Sequence, residues 1–220
     1  MDVLARLDET REAINVLEHP FYERWSAGAL CASELSLYAG EYRHAVIALA
    51  HASAQAAADA GDAHRDGLRH HAEEEAAHVQ LWEQFERALA DEPASMAHEP
   101  ASSQGLAQTR ACVRAWTAGE DLLEGLAILY AIEASQPQIS ATKLEGLSSH
   151  YGFAQDAAAT EYFRLHELRD AEHADQARAL IAQLMADVQD TEEAAERMVG
   201  RAAQALRGNW LLLDGVEAAA

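Results

Sequence analysis

The stretch EYFRLHELRDAEH, residues 161–173, contains no glycine, proline or β-branched residue and predicts a helix. At ~100° per residue, His166, Asp170 and His173 fall within roughly 60° of one another on that helix. Two imidazoles and a carboxylate on one face are either a solvated stripe or one wall of a metal site. The second reading needs further ligands from facing helices, so it predicts a bundle.

The rest of the chain agrees with a bundle. Long Ala-, Leu- and Glu-rich stretches, sparse β-branched residues and only four prolines predict an all-α fold. Its 220 residues suffice for one sizeable core, so residues 1–220 are expected to form a single domain of about seven to eight helices. Expected helices cover 2–17, a short piece after Pro20, 33–59, 63–90, 104–117, 120–149, 155–187 and 191–213. The segment DEPASMAHEPASS, 91–103, is expected as a loop because it holds two of the prolines.

With 16 Lys and Arg against 37 Asp and Glu, the formal net charge is −21, which argues against nucleic acid or an anionic membrane as partner. Cys31 and Cys112 are far apart and lack the spacing of a disulfide framework or thiolate site, which fits a reducing cytoplasm. The opening MDVLARLDETREAI lacks the apolar core of a signal peptide, and no apolar run approaches a membrane span. A soluble cytoplasmic protein is the expectation.

Carboxylate-bridged metal pairs in helical bundles take a Glu from each of two helices and a Glu-x-x-His from each of two others. The chain offers Glu41, then Glu75-x-x-His78, then Glu133, then Asp170-x-x-His173 with His166 one turn upstream. Any one of these motifs is weak, since Glu41-Tyr-Arg-His44 repeats the pattern by chance. Glu73 and Glu74 remain alternatives to Glu75 within an acidic run, and His70 and His71 are expected to be exposed. Glu133 is different: it lies in LLEGLAILYAIEASQP, where a buried carboxylate without a partner is costly. Pro137 should kink the backbone there, because its ring meets the carbonyl of Glu133.

These residues resemble the haem-oxygenase-like di-metal oxidases and oxygenases, whose fold is shared with TenA thiaminases and PqqC-type cofactor-synthesis proteins. The resemblance runs through HPFYERWSAGALCASELSLYAGEYRHAV (19–46), HAEEEAAHVQLWEQF (71–85), LYAIEASQPQISATKLEGLSSHYG (129–152) and EYFRLHELRDAEH. It implies Glu41, Glu75, His78, Glu133, His166, Asp170 and His173 as ligands to two irons, or iron and manganese, with O2 and a reductant as co-substrates. The thiaminase cysteine has no counterpart in LLEGLAILYAIE.

Within that family the chain most resembles the CADD-type para-aminobenzoate synthases, which consume their own side chains. The resemblance implies Tyr22 as the sacrificed ring, Tyr38 and Tyr162 as redox neighbours, and Lys143, the only lysine, as nitrogen donor. Ile132 stands where the family has another tyrosine. The substrate is then internal side chains. Two alternatives stay open: an external small molecule, such as a fatty acid or amino acid, oxidised at the same site, or a ferritin-like metal-binding protein without catalysis. A homodimer through the terminal stretch AAQALRGNWLLLDGV is a further expectation.

Overall fold

The computed structural model describes residues 2–90 and 105–220, and the expected 91–103 loop lies outside them. Nine α-helices follow one another among the described residues, with no strand: α1 Val3–Ala13, α2 Pro20–Ser26, α3 Ala32–Asp59, α4 Asp62–Ala90, α5 Ala107–Trp116, α6 Leu122–Glu133, α7 Gln136–His150, α8 Glu161–Met185 and α9 Thr191–Ala219. None is long and apolar enough to cross a membrane.

Local chemistry sets the ends. The Asn15 side chain accepts from Leu17 N at 3.1 Å, starting a short 3-10 turn, so α1 stops at Ala13 and not at 17. His19 Nδ1 caps α2 at Phe21 N, with Pro20 in the first turn, where its missing N–H costs nothing. The Thr160 hydroxyl donates toward the carbonyls of Ala154, Gln155 and Ala157, tying up the turn that the sequence pattern had placed inside a helix from 155. The expected 120–149 helix is two: α6 ends at Glu133 and α7 begins at Gln136, with Pro137 in its first turn. The kink predicted at Pro137 is therefore a full break. At the other end of the chain α9 continues past 213 to Ala219. Gly208 and Gly215 do not stop it; they let α5 approach, since a Cβ on Gly215 would lie 2.8 Å from Gln108 Cβ.

The long pair α3 and α4 packs side by side, α8 lies against α6 and α7, and α9 crosses α1, α5 and α6. Buried indoles fasten these layers. Trp82 Nε1 on α4 donates to Ala39 O on α3 at 2.8 Å, Trp116 Nε1 on α5 to Ala205 O on α9 at 3.0 Å, and Trp25 Nε1 on α2 to Lys143 O on α7 at 3.3 Å. Helix α6 is held at both ends: Arg197 and Arg201 of α9 clasp buried Glu124 at 3.0 and 2.8 Å, and Tyr130 bonds Asp8, which Arg178 also meets at 2.7 Å. These ties fix the depth at which Glu133 sits. In the stretch of α9 expected at a dimer interface, Leu206, Leu212, Leu213 and Val216 are buried within the chain and Leu211 is exposed.

Gly146 lies on α7 three residues after Lys143, where α2 packs against it. A Cβ there would run into the Trp25 indole, so the glycine is what lets α2 seat against α7. Gly146→Ala is expected to destabilise the protein by about 2 kcal/mol through overpacking at a rigid ring, despite the better helix propensity of alanine. Urea denaturation of the variant, read as a lower midpoint with unchanged slope, checks this.

Candidate metal centre

Helices α4 and α8 run antiparallel and meet in three ring-to-ring rungs. His71 faces His173 with centroids 4.2 Å apart, His78 faces His166 at 4.5 Å, and Trp82 faces Tyr162 at 4.8 Å. The i, i+7, i+11 spacing on α4 and its reverse on α8 put all six rings on facing surfaces. Between the histidine rungs lie Glu75 from α4, Asp170 from α8 and Glu133 from the end of α6, each 1 % exposed or less.

Two groups of ligand-competent atoms result, each with donors mutually within 4.8 Å: His71, Glu75, Glu133 and His173, and then Glu75, His78 and His166. Glu75 belongs to both. Its Oε1 is 3.1 Å from His78 Nδ1, 3.8 Å from His173 Nδ1 and 3.9 Å from His71 Nε2, while His71 Nε2 is 2.9 Å from Glu133 Oε1. Asp170 completes the wall, with Oδ1 3.9 Å from His173 Nδ1.

The polar atoms here lack the partners that burial demands. Both oxygens of Glu75, Glu133 and Asp170, together with His71 Nε2, His78 Nδ1, His166 Nε2 and His173 Nδ1, make no well-formed hydrogen bond. Three carboxylates and four imidazoles turned inward without partners fit a cation site, and the donor set fits iron or manganese. The outer nitrogens are engaged instead. His166 Nδ1 sits 2.7 Å from Tyr162 O, and His173 Nε2 3.2 Å from Glu74 Oε2, which leaves the inner nitrogens for a metal.

The electrostatics follow from burial and crowding. Burial pushes the Asp170 carboxyl well above its usual range, and the Glu75 and Glu133 charges push it further. Burial opposes ionisation of Glu75, but the neighbouring His78 outweighs it and holds the carboxyl low. Burial lowers His166 to about 4, which keeps it a neutral ligand. Burial would lower His71 too, yet Glu133 beside it raises it to about 9.

Of the seven residues expected as ligands, Glu75, His78, Glu133, His166, Asp170 and His173 converge, and Glu41 does not. Glu41 is buried on α3, but its Oε2 accepts from Leu106 N at 2.8 Å and from the Thr109 hydroxyl, capping α5. Two donors already occupy that oxygen. Glu41→Gln is therefore expected to leave metal stoichiometry unchanged and to cost about 1–2 kcal/mol of stability, measured by metal analysis beside thermal denaturation. His71 is the reverse correction: expected at the surface, it is buried at the heart of the first group. The signal was present, since His71 lies four residues before Glu75 and seven before His78, on the same helical face. The acidic run resolves by depth: Glu75 points inward, Glu74 braces His173 from outside, and Glu73 is exposed.

Beyond the third rung the structure closes into an aromatic cage around Lys143 from α7. Its Nζ is 4.4 Å from the Tyr42 ring centre, 5.3 Å from Tyr38, 5.5 Å from Phe163, 5.6 Å from Trp82 and 5.9 Å from Tyr22. Lys143 is 1 % exposed, and burial alone lowers it to about 7. Tyr162 stacks on His166 at 3.9 Å and links the cage to the ligand cluster. Tyr42 and Trp82, which were not among the expected site residues, are cage walls at distances from Lys143 comparable to those of the expected Tyr22 and Tyr38.

Comparison with known proteins places this arrangement. Residues 44–208 match the family of iron-containing redox enzymes, and the chain belongs to that family. It is 34% identical to a 4-aminobenzoate synthase of Chlamydia trachomatis over 86% of this chain and 84% of that one, and 30% identical to a 4-aminobenzoate synthase of Nitrosomonas europaea over 96% and 89%. Among solved structures it is similar to a TenA homologue from Pseudomonas syringae (TM-score 0.79, 16% identity, 98% and 91% covered). It is also similar to a domain with a haem-oxygenase-like fold from Shewanella denitrificans (TM-score 0.77, 19% identity, 100% and 93% covered). The all-α architecture is thus the haem-oxygenase/TenA-like fold.

Proposed function

We propose that this chain makes 4-aminobenzoate, the activity named for its relatives, by converting its own Tyr22 and Lys143 at a centre of two irons, or iron and manganese, using O2 and a reductant. The observation that carries this reading is the placement of the only lysine in the sequence, fully buried in a cage of tyrosines, beside the ligand cluster. His71, Glu75, His78, Glu133, His166, Asp170 and His173 would hold the metals. When bound, the metal pair supplies the oxidising power drawn from O2.

The residues around it have distinct tasks. Burial keeps Lys143 partly neutral at pH 7, so Nζ presents a lone pair, which a solvated lysine does not. The cage excludes water from the amine and from the Tyr22 ring. Burial, with the neighbouring tyrosines, pushes the Tyr22, Tyr38 and Tyr162 phenols well above their usual range, so each keeps its proton until an oxidant withdraws an electron. Tyr162, stacked on His166 and edge-on to Trp82, is the contact between the two halves of the site. Incubation of iron-loaded protein with reductant and O2 is expected to release 4-aminobenzoate; release undiminished in both Tyr22→Phe and Lys143→Ala contradicts the internal source.

A further inference from the structure

The two ends of the ligand cluster differ. Past the Trp82–Tyr162 rung, the cage residues Tyr22, Tyr38, Tyr42, Trp82 and Lys143 are 0–2 % exposed, and that side is closed to solvent. Past the His71–His173 rung lies a cleft of about 350 Å³ between α4, α6 and α8, reaching inward to those two histidines. Its walls are Leu68, Leu126, Leu129, Ala177 and Leu180, its polar lining comes from imidazoles and the amides of Gln176 and Gln183, and among the described residues no acid, lysine or arginine lines it. In a chain carrying 37 acidic residues, a passage whose described lining holds no carboxylate and which ends on ligand-competent nitrogens is a selective feature.

We propose that this cleft is the entrance by which dioxygen reaches the metal centre. The proposal rests on the O2-dependent reading above and adds its direction: the gas enters at the His71–His173 end, while the residues to be oxidised lie at the opposite, sealed end. Apolar walls favour an uncharged diatomic over hydrated ions and over a solvated anionic reductant. The arrangement also keeps bulk water away from the cage while the oxidant is admitted.

Gly67 and Ala63 stand one turn apart on α4 at the rim, both exposed, and a Cβ on Gly67 meets nothing within 4 Å. Gly67→Leu and the double variant Ala63→Leu with Gly67→Leu should therefore fold and narrow the mouth. In metal-free protein, xenon is the probe: crystals under xenon pressure are expected to show it in the wild-type cleft and not in the double variant. In iron(II)-loaded protein, stopped-flow mixing with O2 is expected to show oxidation slowed about tenfold in the double variant with unchanged iron content. Wild-type crystals without xenon in the cleft, or a variant that excludes xenon yet oxidises at the wild-type rate, would overturn the entrance while leaving 4-aminobenzoate release intact. Slowed oxidation in the variant, with no 4-aminobenzoate from any form, would uphold the entrance and sink the proposed reaction instead.

Discussion

Glu75→Gln is expected to abolish stable loading of the metal pair, with iron content falling from about two per chain to below one. Glu75 is the carboxylate that belongs to both ligand groups, within 4 Å of His71, His78 and His173. An amide of the same shape keeps the packing but removes the negative charge and one of the two anionic oxygens, so neither position retains a shared ligand. The same substitution at Glu73, exposed on the next face of α4, should change nothing, and at Glu74 the loss should be partial because only the outer nitrogen of His173 is released. Metal analysis after anaerobic iron loading, with helical content followed by circular dichroism, separates the three. Full iron content in Glu75→Gln would remove this residue from the centre.

Lys143→Met should abolish 4-aminobenzoate release and at the same time make the protein more stable. An amine that ordinarily titrates at 10.5 and is held at about 7 by burial is poorly accommodated when charged. Between those values the unfolded chain binds more protons than the folded one, so wild-type stability rises with pH across that window. At pH 7 the cost is roughly 4 kcal/mol, which a thioether of similar length filling the cage would avoid. The gain from methionine should shrink as pH climbs from 7 and vanish above 10.5. Denaturation of both proteins at several pH values measures it. A variant no more stable than wild type at pH 7 would mean that the amine is solvated and the cage open.

Legibility in the sequence divided by the kind of physics involved. Helix periodicity located α3 and α4 to within a residue at each end, because long helical segments carry their own signal, and it found α8 but began it at 155 in place of Glu161. Periodicity put His166, Asp170 and His173 on one face; the other expected ligands came from the bundle pattern and the resemblance, and six of the seven converge. It missed where tertiary contact overrides local preference. The last helix, expected to end at 213, runs on to Ala219 with Gly208 and Gly215 as a close-approach surface for α5, and the 120–149 run read as one helix but breaks between Glu133 and Gln136. Glu41 shows the other limit. Its spacing and burial suit a ligand, yet its use as a cap for α5 depends on Leu106 and Thr109, far along the chain. His71 was set aside because a His-His-Ala-Glu-Glu-Glu run looks solvated, although helical arithmetic placed it beneath Glu75. The cage around Lys143 could not be drawn from spacing, since its walls come from α2, α3, α4 and α8.

The central claim is that the product comes from the protein's own side chains, and mass spectrometry reads that directly. Iron-loaded protein treated with reductant and O2, then digested and mapped, should show altered mass at the peptides holding Tyr22 and Lys143, with product not exceeding one molecule per chain. Repeated release of 4-aminobenzoate from protein whose Tyr22 and Lys143 peptides keep their original mass would contradict it.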